Sequence, residues 1–328
     1  MRRREALKLI GAALVTLPTA AMGQSSRTTA YRIVVIANKT FEADPLMAVL
    51  GNDWARNPGL GIPREVLWPR AKPQDAVDII ARPRCLVDVG PQATPSATIE
   101  IWCIDDLMTQ AVNHSSSDNK AQALNAIADF GPTPDGVIAF GTGAFPGDLS
   151  KNGCVAVGST IYVHDAAGGQ SHWSWAEHIE KLVPSKTPPS FYSSVASDQQ
   201  SLKNIHDRML NVPVNPAADH QLIISADAVA ISSVNIASSA DYAKIDSEAI
   251  ALAKAAGATT ITSVETTHGI IRAEWPEAAF IYVTGIPNRV GHFPDEANGS
   301  YPQNFAAAHN AGIAASFLIP AFLQSISH

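Results

Sequence analysis

The sequence predicts an α/β fold with three layers, in which helices cover both faces of a mixed, largely parallel and twisted central sheet. One observation is a set of short apolar runs rich in β-branched residues, typical of strands buried on both faces. The other is that helical patterns lie between these runs, an alternation that favours a largely parallel sheet. The runs lie at residues 31–38, 99–104, 135–141, 154–163, 221–231, 259–264 and 279–286.

Three segments between or after these runs predict helices. Residues 118–130 are rich in alanine and begin at Asp118, a favourable capping residue. Residues 241–257 repeat apolar side chains at helical spacing and end at Gly257, a common helix terminator. Residues 302–326 form a long apolar segment that predicts a closing helix.

Two stretches fit the alternation poorly. Residues 51–95 and 165–220 are rich in proline, glycine and other residues typical of loops. We interpret both as long loop insertions over the sheet, since long loops in compact domains often carry function. Residues 24–328 are therefore predicted to form a single domain with these two insertions.

The N-terminus has the features of an export signal. Residues 1–23 begin with a basic head, continue with an apolar stretch from Leu7 to Leu17 and end in small residues. Arg3–Lys8 resembles a twin-arginine signal, and the apolar stretch is shorter than the ~20 residues of a membrane span. We therefore expect export by the twin-arginine translocase and a mature periplasmic protein that begins near Gln24. A disordered basic tail is the alternative.

Charge and composition exclude several classes of function. The formal net charge is −7, and it becomes −10 when residues 1–23 are removed. No nucleic-acid partner is expected, because an acidic body with 16% charged residues lacks clustered cations. No membrane span is expected in the mature protein. Cys85, Cys103 and Cys154 match no zinc spacing and are predicted to be buried, with at most one disulfide among them.

A glycine-rich segment, Gly141–Gly147, directly follows the predicted strand at 135–141. Such a loop lets the backbone approach a phosphate or a sugar closely, although the spacing is wrong for a dinucleotide-binding motif. An ordinary turn at a strand end is the alternative. The sequence has no nucleophile elbow, zinc-protease helix or phosphate-binding loop motif, and no metal or cofactor is expected.

Two tryptophans, Trp173 and Trp175, lie beside a histidine in the segment "HWSW". The segment is either a stacking lid over a planar ligand or a hydrophobic plug. We treat Trp173 as a candidate ligand contact.

Polar residues concentrate at the ends of the predicted strands. They comprise Asn38 and Lys39, Thr142, Glu265–His268 and Asn288–His292. Open parallel sheets bind ligands beyond the carboxyl ends of their strands. The sequence therefore predicts a ligand site at this edge of the sheet.

The order of these segments resembles the nucleoside phosphorylase and nucleosidase superfamily. The resemblance covers roughly residues 31–40 and 135–325 and implies a phosphorylase/hydrolase-like α/β fold. An exported branch, the purine nucleoside permease-like proteins, is also similar. The matching landmarks are a Gly-Thr/Ser-Ala-Gly loop at Gly141–Ala144, a glycine and strand at 152–166, a Ser-Gly-Asp strand at Ser225–Asp227, a Val-Glu-Met-Glu helix start at Val264–Thr267 and an Ile-Ser-Asp strand end at Ile286–Asn288.

The sequence departs from the family pattern at positions that carry chemistry. The second glutamate of Val-Glu-Met-Glu, which binds the ribose hydroxyls, is Thr267 here. The aspartate that protonates the leaving base is Asn288, whose amide can hydrogen-bond a purine but cannot deliver a proton. The expected arginine before that aspartate is Thr284, and Arg272 and Arg289 remain as substitute phosphate ligands.

The resemblance implies cleavage of the N-glycosidic bond of nucleosides, purine nucleosides above all, by phosphorolysis or hydrolysis. Phosphate enters at most as a co-substrate, and a homo-oligomer is implied. The alternatives are a non-catalytic binding or uptake protein on the same fold, and an exported hydrolase on an unrelated α/β fold. Glu42 or Asp44, in a predicted loop after the first strand, would orient a water, and Asn288 would contact the base. The expected substrate contacts are Thr142, Gly143, Ala144, Phe145, Glu265, Thr266, Thr267, His268, His292 and Trp173.

Glu265 and His268 lie three residues apart at a predicted strand-to-helix turn. Glu265 is either chiefly a helix cap, since carboxylates are favoured at helix N-termini, or part of a sugar site. In the second interpretation His268 replaces contacts that the missing glutamate would make.

Overall fold

The computed structural model describes residues 30–53, 60–66, 81–90, 95–109, 111–167, 179–216, 220–298 and 300–327. The strands are β1 Tyr31–Ala37, β2 Ile62–Val66, β3 Cys85–Val89, β4 Ala97–Cys103, β5 Gly136–Thr142, β6 Val155–Gly158, β7 Thr160–Asp165, β8 Glu180–Lys181, β9 Leu222–Ile224, β10 Ala228–Val234, β11 Thr260–Glu265 and β12 Ala279–Gly285. The helices are α1 Thr40–Asp53, α2 Ser117–Phe130, α3 Pro189–Ser197, α4 Gln199–Arg208, α5 Tyr242–Ala255, α6 His268–Glu274, α7 Phe293–Glu296 and α8 Tyr301–Ile326.

The larger of two sheets is mixed and has the strand order β2-β3-β4-β1-β5-β12-β6-β9. Its centre is parallel, since β1 pairs with β4 and β5, and β5 pairs with β12, all in the same direction. Antiparallel pairs join β2, β3 and β4 on one side and β12 and β6 on the other. Helices pack on both faces, which confirms the predicted three-layer α/β/α fold.

The smaller sheet has the order β11-β10-β7-β8 and is parallel over β11, β10 and β7. It contains the second halves of two runs that the sequence predicts as uninterrupted apolar segments. The run at 154–163 breaks at Ser159 into β6 and β7, and the run at 221–231 breaks at 225–227 into β9 and β10. Each time the chain passes from the larger to the smaller sheet. The apolar pattern does not reveal this change because both halves are apolar.

The core alternates along β1, the central strand. Ile33 and Val35 belong to the cluster that includes residues of α1 and α8, whereas Val34 and Ile36 belong to the cluster of α2 and α6. All four side chains are fully buried, as expected for a strand covered on both faces. A third apolar cluster packs α5 on the smaller sheet.

Helix α8 is the 26-residue segment that covers one face of the larger sheet. In the part of the chain that the structure describes, it is the one helix with the length and hydropathy to cross a membrane, and 72% of its most apolar stretch is buried inside the protein. It packs against α1 and β12. Phe322 is fully buried and lies edge-on to Phe191 of α3, with ring centroids 5.8 Å apart. A helix that is apolar all round is expected where protein surrounds it.

Parts of the two stretches predicted as loops are regular. Strand β3 lies within 51–95, and helices α3 and α4 lie within 165–220. Helix α1 begins at Thr40, in the segment predicted as a loop after the first strand. Its sequence includes Pro45, which disfavours a helix interior. Packing against α8 stabilises α1 despite this proline, because tertiary contacts supply most helical stability.

Two local predictions have different outcomes. The predicted cap of α2 is wrong: Ser116 is the N-cap, and its hydroxyl accepts a hydrogen bond from Asn119 N, while Asp118 lies inside the helix. The predicted burial of the cysteines is confirmed, since Cys103 is 1% exposed and the other two are fully buried.

Gly285→Ala tests the packing of α8 against the end of β12. A Cβ at Gly285 would lie 2.1 Å from the carbonyl oxygen of Ala307 on α8. We expect the free energy of unfolding to fall by more than the ~1–2 kcal/mol that a left-handed backbone alone costs an alanine. Gly257→Ala is the matched control, because Gly257 has φ +97° and no atom within 4 Å of its Cβ position. Urea unfolding measures both variants, and equal losses would contradict the close approach at Gly285.

Candidate functional site

A cavity of about 260 Å³ lies at the carboxyl ends of strands from both sheets. Asn38 and Lys39 follow β1, Thr142 ends β5, Glu265 ends β11 and Asn288 follows β12. All five line the cavity. The structure therefore brings together residues that the sequence places at one edge of the sheet, in a concave site of the kind that binds small molecules.

Glu42 lies in the first turn of α1 and lines this cavity. Its Oε1 accepts hydrogen bonds from N and Oγ1 of Thr142, both at 2.7 Å, and its Oε2 accepts one from Lys39 N at 2.9 Å. The side chain is 3% exposed, and burial raises its pKa. A carboxylate oriented by three donors at a cavity wall can accept a proton from a bound water.

Asp44, two residues further along α1, has different surroundings. Its Oδ1 accepts a hydrogen bond from Arg84 Nη1 at 2.6 Å, and the same guanidinium pairs with Asp106 at 2.7 Å. Asp44 is not among the residues that line the cavity. Of the two acids that the sequence offers for orienting a water, the structure places Glu42 alone at the cavity.

The loop after β5 joins the two sheets. Ala144 exchanges two backbone hydrogen bonds of 2.8 Å with Val264 of β11, and Gly143 N donates to Gly285 O of β12 at 3.0 Å. A Cβ at Gly143 would lie 2.9 Å from Val264 O, so this approach requires glycine. Gly143 and Ala144 both line the cavity. The glycine-rich segment is thus a connection between strand ends as well as a cavity wall.

Glu265 lines the cavity, but both of its carboxylate oxygens already accept hydrogen bonds. Oε2 accepts from the backbone N of Thr267 and from that of His268, the latter at 2.8 Å, and Oε1 accepts from Ser232 Oγ. This is the geometry of a carboxylate at a helix N-terminus, which favours the capping interpretation. The pairing with the His268 ring is looser, since Nδ1 lies 3.9 Å from Glu265 Oε1.

His268 is 2% exposed and is not among the residues that line the cavity. Its ring stacks on Tyr282 at 6.0 Å, and Nδ1 lies 3.4 Å from Thr284 Oγ1. A Cβ at Gly141 would lie 3.3 Å from His268 Nε2 and 3.1 Å from Glu42 Oε1, so the two side chains approach the same point of the backbone. Burial lowers the pKa of His268, which favours a neutral ring.

Asn288 is 4% exposed and lines the cavity, and its Nδ2 donates to Arg289 O at 2.8 Å. The two arginines that could replace the family's phosphate ligands are bound elsewhere. Arg289 pairs with Glu296 at 2.6 Å. Arg272 is buried and donates five hydrogen bonds to backbone carbonyls. Neither arginine lines the cavity.

Two further candidates, Phe145 and His292, do not line the cavity. Phe145 donates its backbone N–H to Asn288 O at 2.9 Å. His292 is half-buried and directly precedes α7. Trp173 belongs to residues 168–178, which lie outside the described residues. Within the described ranges, no group of three or more His, Cys, Asp or Glu side chains could hold a metal ion.

No family model matches the sequence, and no curated protein matches it. Solved structures do match the fold. One from Borrelia burgdorferi, assigned as a 5'-methylthioadenosine/S-adenosylhomocysteine nucleosidase and bound to adenine, aligns with a TM-score of 0.51 and 11% identity over 88% of this chain and 98% of that chain. A nucleosidase from S. pneumoniae aligns with a TM-score of 0.48 and 13% identity over 90% of this chain and 99% of that chain. One from Arabidopsis thaliana aligns with a TM-score of 0.47 and 13% identity over 88% of this chain and 95% of that chain.

The comparison with the Borrelia structure decides the fold. The chain shares the fold of this nucleosidase structure. The family resemblance seen in the sequence is confirmed at the level of the fold. The relation to the exported permease-like branch stays a prediction.

Within this nucleosidase fold, Lys120 of α2 is a buried cation that the sequence analysis missed. Its Nζ donates to O and Oγ1 of Thr266 at 3.0 and 3.2 Å and to Thr267 Oγ1 at 2.9 Å. Thr267 thus contacts Lys120 and does not line the cavity, whereas Thr266 does. Burial lowers the pKa of Lys120 to about 8. The sequence feature that indicates its burial is its position four residues before Leu124, on the buried face of α2.

The sequence analysis also missed the wall that α5 and α7 contribute. Tyr242 and Phe293 line the cavity with their rings edge-to-face, 5.2 Å between centroids. Asp246, one turn after Tyr242, lines the same cavity and is 8% exposed. Burial, together with the charge of Glu265, raises the pKa of Asp246 to about 7. The sequence feature that indicates the burial of Asp246 is its position three residues before Ala249, on the buried face of α5.

Asn38 offers the cavity an acceptor without a partner. The side chain is 8% exposed, and its Oδ1 is buried without a hydrogen bond from any described group. Buried polar atoms in folded proteins are nearly always hydrogen-bonded. A ligand with a donor at this position would satisfy Asn38.

The raised pKa of Asp246 predicts how its replacement affects stability. Because this carboxyl ionises at a higher pH in the folded than in the unfolded protein, it lowers stability progressively as the pH rises to about 7. We expect Asp246→Asn to raise the unfolding temperature at about pH 8 by at least about 2 °C and to leave it nearly unchanged at about pH 4. Thermal unfolding at both pH values measures the difference. Glu248→Gln, an exposed change on α5, is the control, and a gain of equal size at both pH values would contradict the prediction.

Proposed function

We propose that this protein cleaves the N-glycosidic bond of a nucleoside, with water as the attacking nucleophile. The observation that supports this most is the Glu42 carboxylate, which lines the cavity and is held by Thr142 and Lys39 N. Cleavage passes through a state in which the sugar carries positive charge, and it requires a nucleophile on one side and a stabilised leaving base on the other. Glu42 would orient the water and accept its proton.

Hydrolysis is favoured over phosphorolysis by the cations near the site. Arg272 is committed to backbone carbonyls and Arg289 to Glu296. Lys39 is the one lysine or arginine among the described residues that line the cavity, and it pairs with Asp105 at 3.1 Å. A phosphate dianion would therefore meet few donors with free charge.

A purine base fits the wall formed by α5 and α7. Tyr242 and Phe293 offer aromatic surfaces to a planar ring, and Asn288 offers an amide for hydrogen bonding. The Borrelia nucleosidase with the same fold is bound to adenine. These features favour purine nucleosides as the substrate class.

The location and assembly of the protein are part of the proposal. The signal-like segment at residues 1–23 supports export by the twin-arginine translocase and action in the periplasm. These residues lie outside the part of the chain that the structure describes. A homo-oligomer likewise stays a prediction.

The proposed reaction is tested by incubating the full chain with a panel of purine and pyrimidine nucleosides. Released base is followed by chromatography, with and without phosphate. We expect release from purine nucleosides in the absence of phosphate. Release that depends on phosphate would contradict hydrolysis, and no release by folded protein would contradict cleavage altogether.

Two acids on the same helix make a matched pair of variants. We expect Glu42→Gln to lower kcat by about 100- to 10,000-fold with little change in KM, because the amide cannot accept the proton of water. Asp44→Asn should retain activity near that of the wild type, since Asp44 pairs with Arg84 outside the cavity. Steady-state kinetics on a cleaved nucleoside measures both. Comparable losses of kcat in both variants would show that any change of charge on α1 lowers activity, and would contradict a specific role of the Glu42 carboxylate.

A binding protein without catalytic activity is the second candidate. It is favoured by Asn288, whose amide has no proton to give, and by Thr267, which contacts Lys120 where the family has a sugar-binding glutamate. Asn288→Ala distinguishes the two functions. If the protein is an enzyme, we expect Asn288→Ala to abolish turnover. If it is a binding protein, the wild type already lacks turnover, and calorimetry would detect nucleoside binding without release of base.

A further inference from the structure

Helix α5 brings an unassigned carboxyl group to the cavity. Asp246 is 8% exposed and lines the cavity together with Asn288 and with the Tyr242–Phe293 ring pair. Asp246 and Tyr242 lie one turn apart on α5. The carboxyl group is therefore close to the aromatic wall that suits a planar base.

The reaction proposed above needs a proton for the departing base, since a purine anion is a poor leaving group. Asn288 cannot supply it. Glu42 is already assigned to the water, and both carboxylate oxygens of Glu265 accept hydrogen bonds from Ser232, Thr267 and His268. Asp246 is the remaining carboxyl group among the described residues that line the cavity.

We propose that Asp246 is the general acid that protonates the leaving base, in place of the acid that is absent at position 288. This inference rests on the proposed hydrolysis. The bond between the sugar C1' and the base nitrogen breaks, and its electron pair stays on the base, which takes the proton of Asp246. Water forms the new bond to C1' and gives its proton to Glu42. Exchange with solvent then returns Glu42 to its ionised form and Asp246 to its protonated form.

The surroundings of Asp246 keep a proton available. Tyr242 on the same helix is uncharged, and its own pKa is raised by burial. Glu265 on β11 contributes a negative charge that opposes ionisation of Asp246. Glu42 and Lys39 are the other ionisable groups described at the cavity. Burial is the main reason that the pKa of Asp246 is raised to about 7.

Substrates that differ in their need for a proton test this role. A 7-methylated purine is already cationic in the nucleoside and departs as a neutral base, so its release requires no general acid. The full chain, Asp246→Asn and Glu248→Gln would be compared on inosine and guanosine and on their 7-methyl derivatives. Glu248 is exposed on α5 and serves as the matched control.

We expect Asp246→Asn to lower kcat on inosine and guanosine by about 100- to 10,000-fold and on the 7-methyl derivatives by less than about 10-fold. Turnover of the 7-methyl derivatives also shows that the variant is folded. Equal losses on both kinds of substrate, or no loss on either, would overturn the role of Asp246 while leaving the proposed function intact. Absence of cleavage by the wild type on all four would overturn the proposed function and the role of Asp246 with it.

The wild type gives a second test that does not depend on the variant. The kcat on inosine should fall as the pH rises above about 7, because ionised Asp246 has no proton to donate. A kcat that is constant between about pH 5 and pH 9 would overturn the proposal, since this range spans the titration of a carboxyl group with a pKa near 7.

Discussion

The candidate site depends on one close approach between backbones, where the loop after β5 meets β11. Gly143 has no Cβ, so its backbone lies against Val264 O, and Ala144 exchanges two hydrogen bonds with the same residue. This contact holds the end of the larger sheet against the end of the smaller one. Glu42 lies on α1, which packs on the larger sheet, and Glu265 ends β11 of the smaller sheet. The two residues consequently line one cavity. Groups that act together on a substrate must be held within a fraction of an ångström, and a backbone contact of this kind provides that rigidity.

Three buried carboxyl groups in one small cavity repel one another unless their protonation states differ. The hydrogen-bond partners of the three groups differ. Glu265 accepts from two backbone N–H groups and a hydroxyl, and Glu42 accepts from three donors, whereas Asp246 is governed mainly by burial. Burial is the main cause of the raised pKa of Asp246, so three carboxyl groups with the same chemistry have different surroundings within one cavity.

The sequence predicts the central strands of the larger sheet, because buried strands such as β1, β5 and β12 require continuous apolar runs. Polar residues that follow these strands directly line the cavity. The sequence does not reveal that the chain changes sheets at Ser159, since the segments on both sides are apolar. The sequence pattern also does not identify Lys120 and Asp246 as buried charged residues, for a related reason. Each lies on the buried face of a helix, where a single charged residue looks like a break in an apolar stripe. What each does depends on partners from distant segments, which no local pattern contains.

The position of α8 determines when the site can form. Asn304 of this helix lines the cavity, Gln303 donates to the carbonyl oxygen of Pro287, and Gly285 lies against the α8 backbone. The strands and the other helices that build the cavity precede α8 in the chain and leave the ribosome before it. Until α8 folds onto α1 and β12, one apolar face of the larger sheet is open to water and to other chains. A partly synthesised molecule therefore lacks the complete cavity and is exposed to aggregation at the same time, and completion of one helix removes both conditions.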